Sequence, residues 1–112
     1  LYVAKQQALA LLESGFKSPL DSTFKVVGKA GYANIMAQIA NLYEGHFMSD
    51  HDKHCITSLA KVMTGSEVEE NTIVNSQMIL DLERKYFVEL LGTQKTQERI
   101  EFMLRNSKPL RN

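Results

Sequence analysis

The feature that most restricts the fold of this chain is a corner between two helices near its end, LDLERKYFVELLGTQKTQERIEFMLRNSKP, from Leu80 to Pro109. Before the corner, Ile79, Leu82, Tyr86, Phe87, Leu90 and Leu91 recur at the three- and four-residue spacing of one helix face. Gly92 is placed to stop that helix in a left-handed conformation. Thr93 then offers a hydroxyl to cap a second helix, which carries Ile100, Met103 and Leu104 on one side. Glu101 precedes Arg105 by four, the favourable order for a surface ion pair. Asn106 and Pro109 end the pattern. A chain ending this way is committed to helix packing there.

Upstream, Leu1 to Ser14 reads as another helix, with Ala4, Ala8, Leu11 and Leu12 on a face that Leu1 and Leu9 widen, closed by Gly15. Phe16 to Gly28 reads as a connection: Pro19 disfavours helix at Ser18, Asp21-Ser22 is turn chemistry, and Phe24 to Val27 is ordered coil for want of a partner strand. A helix follows from Gly31 to Glu44, with Ile35, Met36, Ile39, Leu42 and Tyr43 inward. Ser49 caps a third, with Asp50 and Asp52 in its positive first turn. It runs to about Met63, burying Ile56, Leu59, Ala60 and Met63. Glu67, Glu69 and Glu70 fall in a solvated loop, and the next helix starts near Thr72. The fold expected is all-α: an irregular bundle of about five helices ending in a helical hairpin.

A chain of 112 residues is read as one domain. It starts at Leu1 and enters helix at once, which reads as the C-terminal piece of a larger protein. Thirteen basic and thirteen acidic residues leave no net charge, which speaks against a nucleic-acid partner. The longest apolar run, Ala8 to Leu12, is far short of the roughly 20 residues of a membrane span. A single cysteine, Cys55, excludes an internal disulfide and fits a reducing cytoplasm.

Candidate chemistry is sparse. His46, His51, His54 and Cys55 form the one dense group of metal-ligating types, but a zinc site needs four converging donors. Cys55 points away from His54, and the expected arrangement is two solvent-facing histidines, His51 and His54, with Cys55 half-buried. No metal site is expected. The pair His54 and Cys55 is equally ill-placed for nucleophilic catalysis, because adjacent helix residues diverge. Gly28 and Gly31, in GKAG, lack the preceding strand and the GK[ST] ending of a phosphate loop. Asp81 and Lys85 are spaced as a surface ion pair.

The closing stretch also resembles a known family. Leu82, Glu83, Phe87, Leu90, Leu91, Gly92, Thr93, Glu98, Ile100, Leu104 and Pro109 are similar in pattern to the C-terminal helices of the crotonase (enoyl-CoA hydratase) superfamily. The ending KTQERIEFMLRNSKPLRN resembles the tail of bacterial bifunctional β-oxidation proteins, which join a 3-hydroxyacyl-CoA dehydrogenase to an enoyl-CoA hydratase. The resemblance implies a cytoplasmic parent enzyme using NAD and acyl-CoA. It implies that the oxyanion hole, the water-activating carboxylates and the dinucleotide fold lie outside this stretch, so that no catalytic residue and no tightly held cofactor is expected here. In that family the last helix offers an aromatic residue, then a lysine, near the nucleotide end of CoA. Met103 and Asn106 stand at those positions here, and Arg99 where glycine is usual. Arg105 and Lys108 are the cations left as candidates to bind CoA.

Two readings follow. As the tail of such an enzyme, the segment covers a crotonase core, makes an interface with the rest of its polypeptide or a second copy, and leaves one apolar patch, centred on the first helix, uncovered when taken alone. As a stand-alone helical interaction module, it buries that face itself. An independent small enzyme would need a deep pocket with converging titratable groups.

Overall fold

The computed structural model describes residues 1–112. It contains α1 (Tyr2–Glu13), β1 (Thr23–Lys25), α2 (Gly28–Glu44), α3 (Asp50–Thr64), β2 (Ile73–Asn75), α4 (Ser76–Leu91) and α5 (Gln94–Asn106). The expected five-helix fold is present, with one small addition. The segment expected to be coil supplies β1, which pairs antiparallel with β2 in the register Phe24↔Val74. Backbone bonds between Val26 and Asn71–Thr72 extend the ribbon. Its inward residues, Val26 and Val74, are both buried. The partner strand lies some fifty residues away in sequence, out of reach of a local reading. The ribbon also moves the start of α4 from Thr72 to Ser76, where Asn75 accepts a hydrogen bond from the Met78 N–H at 2.9 Å.

α3 is the central element, packed on α2 along one side and on α4 along the other. Its start is built as the sequence suggests. Ser49 Oγ accepts from the Asp52 N–H, and the Asp52 carboxylate accepts from the Ser49 N–H, both at 3.1 Å. These reciprocal bonds satisfy two donors that a helix start leaves free. Its end is a left-handed Gly65. The corner with α2 is tied by Tyr43, whose hydroxyl donates to Asp50 while Lys53 lies over its ring.

The start of α2 shows why glycine stands at position 28. Gly28 adopts φ +57° against the backbone of Val68 and Glu69; a Cβ there would lie 2.7 Å from the Glu69 carbonyl. Lys29 donates its N–H to Val68 O and pairs through Nζ with Glu69 at 2.7 Å. Helix α2 therefore begins three residues earlier than periodicity suggests. The carboxylates of the acidic loop, Glu67, Glu69 and Glu70, are exposed as expected, and the Lys29–Glu69 pair lies in solvent.

The closing corner turns by a different device from the one expected. Gly92 stays right-handed, at φ −71°. The break falls on Thr93, whose extended backbone lets its side chain accept from the Thr96 N–H and donate to Leu90 O.

What the helices bury departs most from periodicity. In α3 the buried residues are His51, Ser58, Ala60 and Thr64, whereas Ile56, Leu59 and Met63 are exposed. Ser58 and Thr64 bond back to carbonyls of their own helix, so they are satisfied without partners. In α1 and α5 no residue is buried. The accessible surface is 8689 Å², against about 6,200 Å² for a compact protein of this mass. The radius of gyration is 19.5 Å, against roughly 13 Å for a compact chain of this length.

Candidate functional site

The chemically densest place lies where the first turn of α3 meets α5. His51, expected in solvent, is 95% covered: only 5% of its surface is exposed. The first turn of α3 faces α5 rather than water, which local spacing does not reveal. Its Nε2 is 3.0 Å from Thr96 Oγ1 and 3.6 Å from Cys55 Sγ. Burial lowers the pKa of His51, and the Arg99 guanidinium adds to the effect. Burial raises that of the Cys55 thiol. Both shifts favour neutral groups. A neutral imidazole beside a protonated thiol is a hydrogen-bonded packing unit and not an activated nucleophile. Cys55 is half-buried as expected, while His54 faces solvent and His46 lies beyond the start of α3. No group of three or more metal-ligating side chains converges anywhere in the structure.

Beside this unit, Asp52 Oδ1 receives Arg99 Nη2 at 2.8 Å, with both side chains mostly covered. The Ser49 backbone bond, followed by the Arg99 contacts, holds the Asp52 carboxyl at a pKa of about 2. Arg99, which stands where the resembling family has glycine, is thus engaged inside this chain.

The cations proposed for CoA sit at the far end of α5. Arg105 Nη2 pairs with Glu101 Oε1 at 2.6 Å. It borders a shallow depression shared with Glu98, Glu101, Phe102, Asn106 and Leu110. Two carboxylates at the rim do not favour a phosphate. Lys108 follows the left-handed turn at Ser107 and is exposed. Met103 is exposed on α5. Asp81 pairs with Arg84 at 3.9 Å and not with Lys85, which lies over the Tyr86 ring.

An apolar groove of about 200 Å³ lies between α3 and α4, walled by Cys55, Leu59, Val62, Tyr86, Phe87 and Leu90. It is far too small for an acyl-CoA site. Other exposed large apolar residues include Met63 on α3 and Leu80 and Val88 on α4. Every residue of α1 is exposed, Leu12 at 71%. A folded monomer seldom leaves this many large apolar side chains in water. The candidate functional feature is therefore this surface. Sequence periodicity signals that each of these faces needs a cover, and the structure shows that the chain itself does not provide it.

No protein-family model matches this chain, and no solved structure matches it. Over all 112 of its residues it is 37% identical to a probable 3-hydroxyacyl-CoA dehydrogenase of Bacillus subtilis (strain 168). The chain is homologous to a segment of that protein. It spans 14% of the length of that relative.

Proposed function

We propose that this chain is the C-terminal helical segment of a fatty-acid β-oxidation enzyme, an NAD-dependent 3-hydroxyacyl-CoA dehydrogenase joined to an enoyl-CoA hydratase. The similarity to the Bacillus subtilis dehydrogenase along the whole of the chain carries the reading. The hydratase half rests on the resemblance of the last third of the sequence to crotonase tails. In this reading the segment contributes no catalytic group. It lays α1 and the outer faces of α3, α4 and α5 on the rest of its own polypeptide. The excess surface supports such a role: about 2,500 Å² is the scale of a permanent interface. NAD and acyl-CoA are held elsewhere in the parent. Arg105 and Lys108 are the cations of this segment available to a CoA phosphate, with Glu101 as their competitor.

The test is enzymatic. The polypeptide encoded by the complete reading frame is assayed with a 3-hydroxyacyl-CoA and NAD, and separately with an enoyl-CoA and water. The expected result is NADH formation and hydration by the complete polypeptide and neither reaction by the 112-residue chain. A reading frame that carries no further enzyme sequence, or a complete product inactive in both assays, would overturn the assignment.

A further inference from the structure

The junction of α5 with α3 is unlike the other helix contacts. α2 and α4 each lie along α3. α5 buries no residue, and Ile100, Met103 and Leu104 on its apolar stripe are exposed. The bonds that tie it to α3 are polar. His51 Nε2 meets Thr96 Oγ1, and Arg99 Nη2 meets Asp52 Oδ1. The tail after α5 folds back onto the same point. Arg99 Nε donates to Asn112 Oδ1 at 2.6 Å and Arg99 Nη2 to Asn112 O at 3.3 Å. Asn112 Nδ2 donates to Lys95 O and Glu98 Oε2. Arg111 reaches Asp52 Oδ2 at 3.5 Å.

One guanidinium therefore joins three pieces of chain: the capping box of α3, the middle of α5, and the tail. Its planar fork makes this possible, because Nε and Nη2 serve different acceptors at once. A contact held by a few directional bonds, with little apolar burial behind it, leaves the helix free to change its angle when those bonds are lost. We propose that Arg99 is the pivot of a polar latch that fixes the angle of α5 and straps the tail Ser107–Asn112 against it. The latch decides how the apolar stripe of α5 is presented to whatever covers it.

The test combines spin-label distances with hydrogen exchange in the 112-residue chain. Nitroxides are placed by Met63→Cys on α3 and Leu104→Cys on α5, in a Cys55→Ala background. Arg99→Gln is expected to shift and broaden the distance between them. Amides of α5 and the tail should exchange about tenfold faster or more, the scale of losing charge-assisted hydrogen bonds. Helix content and protection of α2 should not change. Arg99→Lys reaches Asp52 but not Asn112 as well, so it is expected to keep the α3–α5 distance while the tail exchanges faster. Where Arg99→Gln loses helix content, Asn112→Ala decides, since it must speed exchange of the tail alone. Unchanged distance and exchange in Arg99→Gln, or an unchanged tail in both Arg99→Lys and Asn112→Ala, would overturn the latch.

Discussion

Helices α1 and α2 are written in much the same language and meet opposite fates. Each carries aliphatic residues at helical spacing and ends near a glycine. In α2, Ile39 is 3% exposed, closed over by α3. In α1, Leu11 and Leu12 stand in solvent, because no other element comes over them. The same contrast runs through α3, whose polar edge is inside and whose Leu59 and Met63 are outside. An amphipathic stripe therefore states that a face requires cover. It does not state which chain supplies the cover. The inside positions of α3 include the small side chains Ser58, Ala60 and Thr64.

The contrast is open to direct attack. The largest effect is expected at the packed centre. Ile39→Ala removes a buried side chain and should lower unfolding free energy by about 2–4 kcal/mol in urea titrations. Leu12→Ala, the matching change on α1, should alter it by less than about 0.5 kcal/mol. Equal losses at the two sites would mean that α1 is packed in solution and the contrast is false.

A smaller effect tests how the unforeseen ribbon hands over to α4. Asn75→Ala removes the side chain that caps α4 directly after β2. It should cost about 1 kcal/mol, read in the same titrations, with Asn75→Asp retaining most of the stability. No loss in the alanine variant would mean that β2 and not the cap fixes where α4 begins.

The smallest effect concerns pH and sharpens the reading of the buried unit. His51 has a lowered pKa, so folding favours its neutral form. Its contribution is full above the ordinary histidine range near 6.5 and is lost as pH falls through and below it. Asp52 has a pKa lowered from 3.8 to about 2, so folding favours its charged form. Its contribution is present above about pH 4 and disappears as pH falls towards 2. The urea midpoint should therefore decline in two phases on acidification. His51→Gln should erase the upper phase and leave the lower one. A single phase in both proteins would show that His51 is not buried as described.

Much of this was legible in the residues. Five helices, the Ser49 cap of α3, the Thr93 break and the Glu101–Arg105 pair all depend on neighbours within a turn or two, and local spacing carries that information. The ribbon did not show, because three residues of β1 mean nothing without β2 far along the chain. The burial of His51 was hidden for the same reason, since α5 covers it from across the corner. Gly92 looked like a left-handed stop, yet Thr93 makes the turn through its own side chain. The partners of Arg99 could not be seen either: Asp52 is 47 residues away, and Asn112 joins only because the tail doubles back. The uncovered faces were anticipated at α1, where the stripe is widest. That α3, α4 and α5 share the condition was not, because periodicity alone cannot tell a filled neighbour position from an empty one.

On the proposed function, the outward apolar faces form the inner surface of a larger folded body. Hydroxyl-radical footprinting of Leu12, Leu59 and Phe87, in the 112-residue chain and in the complete polypeptide, tests it most directly. Strong labelling of all three is expected in the short chain and protection of all three in the complete polypeptide. Equal labelling in the two would mean that these faces stay in solvent.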